Sequence, residues 1–140
     1  GIKISTKIIK NYINEGNIEA ANSLIGRNYY IKGIVRKGKQ IGRKIGFPTM
    51  NITNNDILLP QSGAYVTKTI IDSEEYYSMT YVSEDIVETN LIDYNDYHYN
   101  FKIKIDFFKK IRDNMAFNNV EELKNQLKID LEYINGYFKN

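Results

Sequence analysis

The sequence predicts a mostly β fold, an antiparallel barrel or sandwich with short helices ahead of it and one helix behind. Three observations carry this. Between residues 29 and 109, runs rich in β-branched and aromatic residues alternate with turn residues. No helical segment separates these runs, which argues against a βαβ arrangement. Only the two ends of the chain place apolar residues at three- and four-residue spacing. At 140 residues the chain suits one domain, large enough to bury a core without covalent staples.

Each element follows from local pattern. Residues 5 to 27, STKIIKNYINEGNIEAANSLIGR, read as two short helices. Ile8, Tyr12 and Ile13 share a face of the first, which Gly16 stops. Asn17 can cap the second, which runs through Glu19, Ala20, Ala21 and Leu24 to Gly26. The strands are YYIKGIV, GAYVTKTII, YYSMTYV, DIVETNLI and NFKIKIDFF, and DSEE at 72 to 75 is a natural hairpin connection. In the closing helix, Leu123, Leu127, Leu131, Ile134 and Phe138 form one apolar stripe, and Asn118 and Glu121 have capping-box spacing.

Composition narrows the function classes. The chain is 42% hydrophobic and 26% charged, ordinary for a globular protein. A net charge of +2 is too small to imply a nucleic acid or an anionic membrane as partner. With no Cys there is neither a disulfide framework nor a thiolate metal site, and one His leaves little for zinc. No apolar run approaches the roughly 20 residues of a membrane span and no signal-peptide pattern opens the chain, so a soluble, cytoplasmic protein is expected. Twelve tyrosines suggest base stacking, as in single-strand binders. Without a basic groove they read better as strand packing.

The segment GIVRKGKQIGRKIGFPT carries four glycines and five cationic side chains. Glycines let backbone N–H groups approach a phosphate, and cations offset its charge. It is not a Walker loop, since only three residues separate Gly38 from Gly42 and Arg43 follows. A polar loop between strands is also an ordinary solvated hairpin. If the chain is extended after Pro48, Thr49 and Asn51 project to one face. Two neutral oxygen ligands suit Mg²⁺, which takes its remaining ligands from water and phosphates. The alternative is that both satisfy turn backbone groups. On alternation in DIVETNLID, Ile86, Glu88 and Asn90 share one face, and Val87, Thr89 and Leu91 the other. Glu88 is then either a solvent-facing charge or a general base able to accept a hydroxyl proton.

These motifs together resemble the riboflavin kinase family, the flavokinase module found alone or as the C-terminal half of bacterial bifunctional FAD synthetases. The likeness is carried by GxVxxGxxxGRxxGFPTxN, then Leu59-Pro60, Gly63-Ala64-Tyr65, Val87-Glu88-Thr89 and a late IRxxxxF. It extends to NMAFNNVEELKNQLKIDLE, with Phe117, Leu123 and Asp130 in register. The resemblance implies a small antiparallel β-barrel with short N-terminal helices and a C-terminal helix. It implies transfer of the γ-phosphoryl of MgATP to the ribityl hydroxyl of riboflavin, giving FMN and ADP. By the same match, Thr49 and Asn51 would hold Mg²⁺ and nucleotide phosphate. Gly38 and Arg43 would cover the phosphates, Glu88 would be the catalytic base, and Arg112 would lie at the flavin side in a mobile segment.

The N-terminus resembles the junction of the bifunctional enzymes, where Ile-Ser-Ser-Thr-x-Ile-Arg closes a nucleotidyltransferase domain. Here it reads Ile4-Ser5-Thr6-Lys7-Ile8-Ile9. Residues 1–26 are therefore expected to be that junction and 27–140 the kinase-like barrel, without FAD synthesis from this polypeptide. Three departures stand out. SMTYVSEDIV replaces a longer Gly-Val-x-Asn-Ile-Gly-x-x-Pro-Thr-Phe-type stretch, Asn90 stands where the family has His, and Asp96-Tyr97-His98-Tyr99-Asn100 lacks the family's Gly. The readings left open are an active kinase, a degenerate kinase-like domain that binds flavin or nucleotide or supports a partner domain, and an oligonucleotide-binding barrel.

Overall fold

Alternation along the middle of the chain closes into a barrel rather than a sandwich. A computed structural model describes residues 2–36, 49–53, 58–84, 86–93 and 100–139. Among these residues there are six strands: β1 (Tyr30–Arg36), β2 (Met50–Thr53), β3 (Gly63–Ile71), β4 (Glu74–Ser83), β5 (Ile86–Leu91) and β6 (Lys102–Arg112). They close in the order β1-β2-β5-β4-β3-β6, and each described pairing is antiparallel. The sequence reading saw β2 only as an extended piece after Pro48; four residues are too few to show a period.

One face of each strand fills the barrel. Val35, Ile52, Val82, Val87, Leu91, Ile103, Ile105 and Phe107 are buried together, and the Tyr65 ring meets Phe107 edge-on at 5.4 Å. The same inward face carries hydroxyls. Thr67 lies 2.7 Å from Ser78 and 2.8 Å from Thr80, and Thr80 lies 2.8 Å from Thr89. A one-residue slip of any of these strands would turn the hydroxyls out and strand their partners, so this ladder specifies register. Where β1 crosses β2, a Cβ on Gly33 would lie 2.3 Å from Ile52 Cγ2, so the close approach requires glycine.

The hairpins are tight. Ile71 pairs with Glu74 across Asp72 and Ser73, both with positive φ, the two-residue turn that DSEE suggested. Ser83 pairs with Ile86, so the short SMTYVSEDIV segment closes β4 directly onto β5 and the barrel is complete without a longer stretch.

The helices cover the outside. α1 (Ile2–Glu15) buries Ile13 and leaves Ile8 38% exposed, so only part of its expected apolar face packs. In α2 (Ile18–Ile25), Asn17 caps through its side chain, which accepts from the Ala20 N–H, and Gly26 ends the helix at φ +83°. Ile18 joins the barrel core, and Asn22 donates to the Phe107 carbonyl at 2.8 Å. α3 (Val120–Lys139) lays the expected Leu123–Phe138 stripe onto Val66, Met79, Tyr81 and Phe108 of the outer sheet face. Its cap is one residue later than the sequence suggested. Asn119 accepts from the Glu122 N–H at 2.9 Å while Glu122 accepts from the Asn118 N–H, because the helix begins at Val120 and its third N–H belongs to Glu122. No described helix is long and apolar enough to cross a membrane.

Candidate active site

Register places one row of side chains across the outer face of the barrel. Arg36 pairs with Asn51, Asn51 with Glu88, Glu88 with Tyr81, Tyr81 with Ala64, and Ala64 with Arg112. Residues directly opposite in an antiparallel pair project to the same side, with Cβ atoms about 4.5–5.5 Å apart. Their sequence neighbours Val35, Ile52, Val87 and Val82 are the inward, buried ones, so this row faces outward. Asn51 and Glu88, far apart in sequence, thus stand side by side.

Three of the sequence-derived candidates therefore lie in one row: Asn51, Glu88 and Arg112. Thr49 immediately precedes β2 and is half-buried, two residues from Asn51. Gly38 and Arg43 lie outside the described residues, as does His98. The strand ends Arg36 and Met50 flank the 37–48 segment that holds the first two.

Asn51 carries a demand that no described residue meets. Its Oδ1 is buried and has no hydrogen-bond partner among the described residues. A buried acceptor left unpaired costs about 1–3 kcal/mol, so native structures keep few without a reason such as a ligand or ion. Glu88 is half-buried on β5, between Ile86, 52% exposed, and the buried Asn90. Its carboxylate thus sits where a proton acceptor can be both held and reached.

Arg112, at the end of β6, is already engaged. Its Nη2 lies 2.8 Å from Asp130 Oδ2, its Nε 3.2 Å from both carboxylate oxygens, and its Nη1 donates to the Asp113 carbonyl at 3.0 Å. Asp130, on α3, is 1% exposed and also accepts from Gln126 at 2.9 Å and from the Tyr81 hydroxyl at 3.4 Å. The Arg112 guanidinium lies over the Tyr81 ring, 5.8 Å from its centroid. Burial pushes the Tyr81 hydroxyl well above its usual range, and the Asp130 carboxylate adds to it, so Tyr81 stays protonated and donates. For Arg112, burial works against the charge, but hydrogen bonds and charge from Asp130, with Tyr81, hold it above the usual value.

Sequence reasoning missed Tyr81, which looked like any strand tyrosine, and the partnership of Asp130. A signal for the latter existed: Asp130 falls on the α3 stripe between Leu127, Leu131 and Ile134, where an unpaired carboxylate would not survive burial.

On the same outer face, a groove of about 600 Å³ is rimmed by Lys32, Lys102 and Lys104. It begins at the Ile34–Thr53 pair, next along from Arg36–Asn51. Among the described residues no group of three or more His, Cys, Asp or Glu side chains converges.

Residues 25–138 match the flavokinase family of riboflavin kinases. The chain belongs to the riboflavin kinase family. A bifunctional riboflavin kinase/FMN adenylyltransferase of Bacillus subtilis is 37% identical over 150 residues, spanning 99% of this chain and 48% of that protein. The chain thus spans about half the length of that curated relative. Riboflavin kinase from Trypanosoma brucei shares the fold at a TM-score of 0.59 with 18% identity, over 79% of this chain and 80% of that one. A Streptococcus pneumoniae chain described as a macrolide-efflux protein superposes at a TM-score of 0.86 with 31% identity, over 92% of this chain and 45% of that one. The riboflavin kinase fold here is thus the closed six-stranded barrel with its flanking helices.

Proposed function

We propose that this chain is a riboflavin kinase that transfers the γ-phosphoryl of ATP to the ribityl 5′-hydroxyl of riboflavin, giving FMN and ADP. The observation that carries the reading is the Asn51–Glu88 pair: a buried amide oxygen with no hydrogen-bond partner among the described residues, beside a half-buried carboxylate, in a chain of this family. Glu88 takes the hydroxyl proton as the ribityl oxygen forms its bond to the γ-phosphorus and the bond to the β–γ bridging oxygen breaks. Little covalent work falls to the protein in such a transfer; it positions the partners and offsets charge.

Asn51 Oδ1 fits Mg²⁺, a hard cation that accepts one or two neutral protein oxygens and fills its sphere with water and phosphates. Asn51 and Thr49 would hold it together with the nucleotide phosphates. When bound, the ion offsets phosphate charge during transfer. Gly38 and Arg43 are assigned to the phosphates, and the lysine-rimmed groove beside Asn51 suits the rest of an anionic nucleotide. Arg112 borders the flavin side of the row. Residues 1–26 are read as the junction that follows a nucleotidyltransferase domain in the bifunctional relatives, and the setting as cytoplasmic.

Asn51→Ala tests the metal and nucleotide assignment. ADP binding measured by calorimetry is expected to depend on Mg²⁺ in the wild type and to weaken at least about tenfold in the variant, the order of a lost metal ligand or its support. Equal MgADP affinity in a folded Asn51→Ala would remove Asn51 from this role.

A further inference from the structure

We propose that Tyr81 is a positioning residue that fixes the carboxylate of Glu88 for proton transfer. The inference rests on the kinase reading above. Tyr81 is Glu88's direct partner on β4, as Asn51 is on β2, so the carboxylate is flanked on both strand sides. On the turn side the flank is thin. The β4–β5 hairpin ends only two residues beyond Glu88, at the Ser83–Ile86 pair, and Ile86 is 52% exposed. A Glu near a hairpin end ordinarily samples many rotamers, and holding one of them requires a rigid neighbour.

Tyr81 is built to be rigid. Its hydroxyl lies 3.4 Å from Asp130 and 3.2 Å from the Met79 sulfur, and the Arg112 guanidinium covers its ring. Arg112 is itself held by the buried Asp130 carboxylate and the Asp113 carbonyl. Chain ends that meet nowhere in sequence, β4, the end of β6 and α3, thereby converge on one aromatic ring beside the base. Because the hydroxyl remains protonated, Tyr81 does not compete with Glu88 for the substrate proton.

The test is steady-state FMN formation by Tyr81→Ala and Tyr81→Phe, alone and in a Glu88→Gln background. Misplacing a reacting group by about 1 Å costs on the order of 100-fold, so Tyr81→Ala is expected to lower kcat by about 10–100-fold. KM for ATP should stay within about twofold, because Asn51 and Thr49 are untouched. Tyr81→Phe, which keeps the ring under Arg112, should recover kcat to within about threefold of wild type. In Glu88→Gln, Tyr81→Ala should cost nothing further, since there is no base left to position. Should Tyr81→Ala fail to fold, Tyr81→Leu keeps apolar volume without the flat ring and is expected to lose kcat in the same way.

Wild-type kcat in a folded Tyr81→Ala or Tyr81→Leu, or an undiminished loss in the Glu88→Gln background, would overturn the proposal while leaving the kinase intact. An inactive wild-type chain would overturn the kinase reading and this proposal with it.

Discussion

Replacing Glu88 with Gln is expected to reduce FMN formation at least about a hundredfold without unfolding the protein, since a positioned general base contributes roughly 10²–10⁴. Glutamine keeps the volume and the polar end of the side chain, and Glu88 is only half-buried on the outward face of β5. The inward neighbours Val87 and Thr89, which hold β5 in the barrel, are untouched. MgADP affinity should be unchanged because Asn51 and Thr49 remain. Turnover, thermal denaturation and calorimetry on the same preparation check all three. A folded Glu88→Gln that turns over normally would remove Glu88 from the chemistry.

The second large effect concerns stability. Arg112→Met is expected to cost about 3 kcal/mol, because it strands a carboxylate buried to 1% exposure without its cation. The figure sits at the lower end for broken buried pairs because Asp130 retains donors in Gln126 and Tyr81, and because the Arg112 side chain keeps 16% exposure. Replacing both partners, Arg112→Met with Asp130→Leu, should recover most of the loss, since an apolar pair leaves no buried charge. Urea denaturation of the single and double variants makes the comparison. A single variant as stable as wild type would mean that the bridge between β6 and α3 contributes little to the fold.

Much of this architecture was legible in the residues. Composition marks GAYVTKTII and DIVETNLI as strands, and within DIVETNLI alternation separates the buried Val87, Thr89 and Leu91 from the outward Ile86 and Glu88, with Asn90 on the outward face yet buried. Composition, periodicity and capping chemistry are local signals, so they reached the strands, the α3 stripe and the Asn17 cap. They did not reach what depends on pairing between distant strands. That Asn51 lies opposite Glu88, and Glu88 opposite Tyr81, is decided by barrel closure and by the inward hydroxyl ladder. Local pattern also slipped by one residue at the α3 cap, where Asn118 and Asn119 are chemically identical and only the helix start distinguishes them. Arg112 was read from its motif alone, which says nothing of the Asp130 that holds it.

The short SMTYVSEDIV segment between β4 and β5 is one of the three departures from the family pattern. In the structure Ser83 still pairs with Ile86 and Glu88 with Asn51, so the candidate base and the candidate metal ligand remain together.

The measurement that tests the central claim most directly is chromatographic detection of FMN from riboflavin, ATP and Mg²⁺, with a control lacking the metal. Metal-dependent FMN is the expected result, and it would show that the short hairpin supports the reaction. A folded protein that yields no FMN would contradict the account and leave a barrel of this family that does not turn over.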